Sequence, residues 1–472
     1  MSSAGNIAST APKGGRYVNS GTGAALQFID IGHDDYVALV DSKTAFWSLI
    51  KKDRMPDAIG GGEFLSGYRA KAAQFAEEMR QLMFGLKPSA VYFNPTERCN
   101  LNCTYCYIPE EMRKGGKHMA EEELFGALDR LRAYFKRVIP EGDGRLPQVI
   151  FHGAEVMLVR EAMFKGIEKY KDDFRFGIQT NATLLGDDDI EFLMANDVSI
   201  GLSLDGHTAG IADKTRKDWA GRGTFEKVCD VMDKLRGYPG FNVISTVTTE
   251  NMADLSRMVE FLHEREVPSC MLNMLRCTLP ASRALKPDDA TVAGHFLAAL
   301  DRTHQLYERT GRKLVVVNFA NILISILAPT ARRLLCDVSP CGGGRGFFAL
   351  APNGDLFPCS EFIGLPKFNG GNIFKEEVET VLNSSPFRLV TERNAENFEP
   401  CRSCAIRPFC GSPCPTEAHE MNGGMDKRGA FCEFYEEQVR YALRLIADGR
   451  ENDFLWDGWD GDAETTFDAA VL

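Results

Sequence analysis

Apolar and polar positions along the chain change their rhythm three times. Leu26–Ile31 and Tyr36–Val40 read as two short strands across a polar turn of Gly32, His33, Asp34 and Asp35. Helical spacing follows over Thr44–Lys52 and Tyr68–Phe84, where Gly85 and Pro88 end the second helix. From Val91 the pattern becomes strand, helix, strand. Strands are predicted at Val91–Asn94, Gln148–His152, Arg175–Thr180, Ser199–Asp205, Asn242–Thr248 and Cys270–Leu275. Helices are predicted at Ala120–Val138, Asp187–Asn196, Phe225–Leu235 and Asn251–Glu264. Such alternation predicts a parallel sheet, here a partial (β/α)6 barrel with its site at the C-terminal strand ends. After about residue 330 the alternation stops, and Cys, Gly and Pro become frequent.

The expected organisation is α/β in four parts. Residues 1–88 form a small α+β module, 89–330 the partial barrel, 331–450 a cysteine-rich domain and 451–472 an acidic tail. Residues 1–20 read as disordered. The longest apolar stretch, Leu314–Pro329, contains Asn318 and Asn321 and is short for a membrane span. No secretory signal is visible at the start. The expectation is a cytoplasmic protein with no membrane partner.

Charge changes the picture little. Lys plus Arg total 54 and Asp plus Glu total 66, giving −12. Seven of the acids lie beyond residue 450. No basic excess recommends nucleic acid.

The 14 cysteines carry more information. In a reducing compartment clustered cysteines point to metal rather than disulfides. Cys99, Cys103 and Cys106 form a Cys-x3-Cys-x2-Cys run ending in Tyr107, just after the first barrel strand. Three thiolates suit a four-iron cluster with one open iron. A structural zinc site with a fourth ligand elsewhere is the alternative.

The run resembles the signature of radical S-adenosylmethionine (SAM) enzymes. In that family the open iron binds SAM, and the reduced cluster yields a 5′-deoxyadenosyl radical. The resemblance implies that Tyr107 meets the adenine. Phe151-His152-Gly153-Ala154-Glu155-Val156 is similar to the Gly-Gly-Glu-Pro motif, with Glu155 toward the SAM amino group. Asn181, in Gln179-Thr180-Asn181, resembles the ribose contact. Ser203 and Arg216 resemble the residues holding the SAM carboxylate and ribose.

Cys341, Cys359, Cys401, Cys404, Cys410, Cys414 and Cys432 resemble the SPASM domain, the auxiliary-cluster extension of peptide and protein maturases. Seven ligands are one short for two four-iron clusters; Cys336, five residues before Cys341, is the candidate eighth, and without it the first auxiliary cluster keeps an open iron for a substrate thiolate. The resemblance implies Cys336, Cys341, Cys359 and Cys414 at the first auxiliary cluster. Cys401, Cys404, Cys410 and Cys432 fall to the second, three [4Fe-4S] clusters in all. Cys229, Cys270 and Cys277 read as core residues.

Sulfatase maturases of this family carry a basic Asp after the cysteine matching Cys359. Here Ser360 and Glu361 follow, so Glu361 is the candidate catalytic base, with a surface Glu as the alternative. The N-terminal module resembles a leader-peptide recognition element in outline, to whose sheet edge a peptide adds a strand. The function so implied is hydrogen abstraction from a ribosomally made peptide, forming a thioether or another crosslink. Oxidation of a Cys or Ser side chain is the alternative, and a non-catalytic iron–sulfur protein is a third. An electron donor such as flavodoxin or ferredoxin is the implied partner. The tail, with Trp456 and Trp459, is either a solvated terminus or a docked segment.

Overall fold

The computed structural model describes residues 16–17, 26–60, 63–139 and 145–459. The expected disorder of residues 1–20 falls outside these except at Arg16–Tyr17.

A four-stranded antiparallel sheet opens the chain, in the order β1 (Arg16–Tyr17), β2 (Leu26–Ile29), β3 (Tyr36–Asp41), β4 (Trp47–Lys51). The helix expected over Thr44–Lys52 is therefore strand β4. Phe46 and Ile50 share one core with Phe28, Val37 and Leu39. A four-residue spacing puts two side chains on one face of a helix and also on one face of a strand. Backbone pairing with β3 decides between them, as Val37 meets Ile50 and Leu39 meets Ser48. The helix Glu63–Arg80 follows, within a few residues of expectation.

A ten-stranded sheet forms the centre. Its parallel run is β5 (Ala90–Phe93), β6 (Gln148–Phe151), β7 (Arg175–Thr180), β8 (Ser199–Ser203), β9 (Phe241–Val247), β10 (Ser269–Met274) and β11 (Val315–Val316). Each of the six predicted barrel strands is present, paired with its sequence neighbour. Helices including Glu121–Val138, Asp187–Ala195, Phe225–Lys234 and Leu255–Glu264 bury their apolar faces.

The barrel does not close. On its first edge β12 (Phe347–Leu350) pairs parallel with β5. The antiparallel strands β13 (Asp355–Phe357) and β14 (Gly371–Asn372) continue outward. The cysteine-rich region thus shares its sheet with the barrel. The apolar helix Val317–Leu327 is buried. Asn321 accepts from the backbone of Arg333 and Leu334 and donates to Asp337. Among the described residues no helix is long and apolar enough to cross a membrane.

Two long-range attachments position the ends. Arg440 and Arg444, on the helix Cys432–Ala447, donate to the carbonyls of Asp30 and Ile31. In the tail, Leu455 is fully buried, and Trp456 and Trp459 pack on the core. Lys313 binds Asp457 at 2.9 Å. The described start of the tail is docked rather than solvated; Asp460 onward lies outside the described residues.

Candidate radical SAM and auxiliary iron–sulfur sites

The loop after β5 carries Cys99, Cys103 and Cys106. It is tied on both flanks, because Cys99 N–H donates to Arg113 O and Thr104 N–H donates to Thr215 O. Burial pushes the Cys99 thiol up to about 12 and Cys103 to about 11. A buried thiolate needs a compensating cation, and three buried thiols at one loop form a donor set that suits an iron–sulfur cluster. Asn181 Nδ2 lies 2.9 Å from Asn100 Oδ1 and 3.8 Å from Cys99 Sγ. The segment expected at the ribose thus also supports the cysteine loop.

Glu155 is 1% exposed. Its carboxylate accepts from Thr180 Oγ1 at 2.7 Å, Asn181 N at 2.9 Å and Met157 N at 3.0 Å. Burial pushes its pKa up and these donors oppose the shift. A carboxylate has about four lone-pair positions, so one is left for a further donor. Only the first glycine position of this motif demands glycine. Gly153 has φ +107°, and a Cβ there would lie 2.7 Å from Asn94 Cγ. Ala154 has no such backbone. Val156, where the family has proline, opens the 3-10 turn Val156–Val159.

Arg216 reaches back to the end of β8. Its Nε lies 2.7 Å from Asp205 Oδ2, and Tyr105 OH donates to the same oxygen. Asp205 Oδ1 accepts from Thr246 N at 2.8 Å. Burial alone would push the guanidinium down; Asp205, then Tyr105, more than restore it. Ser203 ends β8, half-buried. Tyr107 is half-buried with no hydrogen-bond partner for its hydroxyl. Burial, then the Glu361 charge, raises its phenol. Burial also raises Cys106, and Glu361 adds to that shift, so the carboxylate lies within electrostatic reach of the triad.

The C-terminal cysteines separate into two groups. Cys401, Cys404, Cys410 and Cys432 line one cavity of about 760 Å3 with Arg407 and Arg428. Gly411 turns the chain after Cys410 with φ +63°, where a Cβ would meet the Val338 backbone at 2.5 Å. Cys336 and Cys359 line a second cavity of about 190 Å3. Burial raises both thiols; Cys341 adds to the shift at Cys336, and Cys336 and Cys341 add to that at Cys359. Cys336 is exposed by area yet its thiol is pushed up to about 12 by burial. Both facts follow from a side chain that faces an internal cavity. Cys414, in a left-handed backbone conformation at φ +50°, sits by Arg276 and Glu417. Among the described residues no three His, Cys, Asp or Glu gather tightly enough for one metal ion.

The smaller cavity is also lined by His152, Gln179 and Asn273 at the ends of β6, β7 and β10. Glu361 projects into it and is not a surface residue. Its Oε1 lies 3.3 Å from Arg276 Nε, and its Oε2 has no partner. Burial pushes the carboxyl up while Arg276 pulls it back. Arg276 NH1 also lies 3.8 Å from Glu417, which burial raises to about 7. Cys229, Cys270 and Cys277 are buried, as expected of core residues.

The sequence reading assigns no role to Asp205, Tyr105, Arg276 or His152. Position is the available signal, since Asp205, Arg276 and His152 each lie one or two residues past a strand's C-terminal end.

Residues 93–262 match the model of the radical SAM superfamily, and residues 341–405 match the iron–sulfur cluster-binding SPASM domain. An uncharacterized protein of Archaeoglobus fulgidus is 38% identical over 81% of this chain and 87% of its own length. The cysteine-type anaerobic sulfatase-maturating enzyme of Clostridium perfringens is 24% identical over 76% of this chain and 98% of its own. The solved structure of native anSMEcpe with bound AdoMet and Cp18Cys peptide has TM-score 0.65 at 21% identity. It covers 77% of this chain and 99% of that one. With the cysteine loop at the first strand end and the second thiol set beyond the barrel, these matches show that the chain belongs to the radical SAM superfamily and carries a SPASM domain.

Proposed function

We propose that this radical SAM enzyme abstracts hydrogen from a ribosomally made peptide and closes a thioether or another crosslink. The observation that supports it best is the 190 Å3 cavity between the barrel strand ends and Cys336, Cys359 and Glu361. A peptide side chain entering it lies between the SAM-side loop and a second thiol set. The C. perfringens sulfatase maturase aligns over nearly its whole length to about three quarters of this chain. The remaining quarter has room for a leader-binding element. In β4 the N-terminal sheet has an edge suited to strand addition.

In this reading Cys99, Cys103 and Cys106 hold the SAM-binding cluster. Tyr107, Glu155, Asn181, Ser203 and Arg216 hold SAM. Cys336, Cys341, Cys359 and Cys414 serve the first auxiliary cluster; Cys401, Cys404, Cys410 and Cys432 serve the second. When bound, SAM and the reduced cluster supply a hydrogen-abstracting radical. Of the chain's own residues, Glu361 takes the substrate proton and Arg276 holds Glu361 in place, and the electron left on the substrate after bond formation would pass to an auxiliary cluster held by the C-terminal cysteines. A reducing cytoplasm with a flavodoxin or ferredoxin donor completes the scheme.

Oxidation of a Cys or Ser side chain without crosslinking is the second reading. The similarity of three quarters of the chain to the C. perfringens cysteine-type sulfatase-maturating enzyme supports it, and the Oε2 of Glu361 is placed to act as a base in either reading. The test uses anaerobically reconstituted, reduced enzyme with SAM and a peptide encoded beside its gene. Nucleoside release with a peptide two hydrogens lighter, and fragmentation showing two residues linked, is the expected result. An unlinked peptide of the same mass favours the second reading. No nucleoside from enzyme with intact clusters overturns both.

A further inference from the structure

The N-terminal sheet grips both segments that carry the second set of C-terminal thiols. Cys401, Cys404 and Cys410 lie on one loop, and Cys432 opens the helix Cys432–Ala447. Arg407, between Cys404 and Cys410, donates from NH2 to Ser42 O at 2.6 Å, just after β3. Gln27 Nε2, in β2, donates to Ser403 O at 3.3 Å. From the helix, Arg440 and Arg444 donate to the carbonyls of Asp30 and Ile31, just after β2, each at 2.6 Å. Strands β2 and β3 are antiparallel, with Leu26 opposite Asp41 and Ile29 opposite Ala38. One end of the pair therefore holds the loop, and the other end holds the helix.

This grip is buried. Arg407 is 8% exposed and stands in the wall of the 760 Å3 cavity. Its guanidinium also donates to Arg402 O at 2.7 Å and to Glu396 Oε1 at 2.9 Å. One planar fork thus ties the module, the turn between Cys401 and Cys404, and Glu396 together. Alternate residues of β2 and β3 are buried on opposite faces. Phe28 and Leu39 belong to the module's own core, whereas Ile29 and Val40 belong to the main core with Ile406 and Leu443. A sheet covered on both faces is a rigid support.

We propose that the N-terminal module is a positioning element of the second auxiliary cluster, with β2 and β3 setting the separation between the Cys401–Cys410 loop and Cys432. The inference rests on the reading of these four cysteines as one cluster site. Four thiolates from two segments have to reach one compact group together. The chain between Cys410 and Cys432 passes through Cys414, which lies with the other thiol set, so the covalent connection does not itself fix their spacing. The sheet supplies that constraint from outside. Arg407 and Arg444 are its positioning residues. Arg407 also brings a buried cation to the cavity wall, and local charge is one of the terms that set a cluster's potential.

The test uses full-length, iron-reconstituted, anaerobic enzyme. The second-cluster signal is identified by its loss in Cys432→Ala. Each variant is then read by redox titration of that paramagnetic signal and by the rate at which a chelator removes iron. Arg407→Met removes the cation, breaks the link to Ser42 and leaves Glu396 unpaired. It is expected to move the second-cluster midpoint to a more negative potential. It is also expected to speed the loss of about 4 of about 12 iron atoms by about tenfold or more, because hydrogen bonds from a charged donor are lost. Arg407→Lys keeps the charge without the fork, and is expected to restore the midpoint more fully than the slow iron release. Arg444→Met, outside the cavity wall, is expected to speed the same iron loss with a smaller change in midpoint. The other two clusters are expected to keep their signals and their iron. Unchanged midpoint and iron release in both Arg407→Met and Arg444→Met overturn the proposal. Loss of all three signals together assigns the effect to unfolding and also overturns it. Wild-type enzyme with about 8 iron atoms, unchanged by Cys432→Ala, strikes the cluster reading instead.

Discussion

Arg216 Nε lies 2.7 Å from Asp205 Oδ2, with both side chains almost fully buried at the mouth of the barrel. Removing one partner of such a pair leaves an uncompensated charge inside the protein. Asp205→Asn is expected to lower stability by about 3–5 kcal/mol, seen as an earlier urea midpoint. The double variant with Arg216→Met is expected to recover part of that loss, because no lone charge remains.

Gly153 and Ala154 make opposite predictions within one motif. Gly153→Ala combines a positive φ with a Cβ 2.7 Å from Asn94. It is expected to cost about 1–3 kcal/mol and to weaken SAM binding with it. Ala154→Gly is expected to leave SAM affinity within twofold, since its backbone is ordinary. Equilibrium binding of SAM to the reconstituted proteins compares the two.

His152 faces the small cavity, and burial lowers its pKa from 6.5 to about 4. The native ring resists a proton that the unfolded chain accepts below pH 6.5. Its contribution is therefore complete above pH 6.5 and falls away toward pH 4. The loss approaches about 3 kcal/mol at full shift. Comparing wild type with His152→Gln isolates it: the stability difference is expected to narrow or reverse in favour of the variant as pH falls from 7 to 4. A pH-independent difference contradicts this account.

Cys336 tests the auxiliary clusters. With three four-iron clusters, reconstituted enzyme is expected to carry about 12 iron atoms per chain. Cys336→Ala is expected to lower that toward about 8, or to leave a first auxiliary cluster with an altered paramagnetic signal. Cys270→Ala, at a core cysteine, is expected to leave iron content unchanged. Iron analysis and electron paramagnetic resonance read both.

A substitution at Glu361 is expected to separate radical formation from product formation. Glu361→Gln keeps the size of the side chain and removes its charge beside Arg276. Nucleoside release is expected to persist while the modified peptide falls at least about tenfold, the scale of a lost proton acceptor. Mass spectrometry of peptide against nucleoside yield gives the ratio.

Much of the fold is legible in the chain itself. The six barrel strands and the helices between them follow from short apolar runs alternating with amphipathic segments. Thr44–Lys52 is not legible in this way, because Phe46 and Ile50 satisfy both helical and strand spacing, and hydrogen bonding to β3 makes the choice. Strand β12 is also hidden. Its apolar run Phe347–Leu350 carries no sign of pairing with Ala90–Phe93, more than 250 residues earlier. The docking of Trp456 and Trp459 escapes the sequence for the same reason.

Local rules determined what this chain contains, and distant contacts determined how it is assembled. Cysteine spacing is covalent information, so the triad at Cys99 and the C-terminal series can be read directly from the chain. Strand and helix periods are equally local. The choice of neighbours is not. Arg276 and Glu361 stand 85 residues apart, and only folding brings them to 3.3 Å at a cavity wall. The sorting of Cys401, Cys404, Cys410 and Cys432 around one cavity, and Cys336 with Cys359 at another, is likewise a product of packing. A buried charge or thiol is tolerable only where tertiary structure supplies its partner.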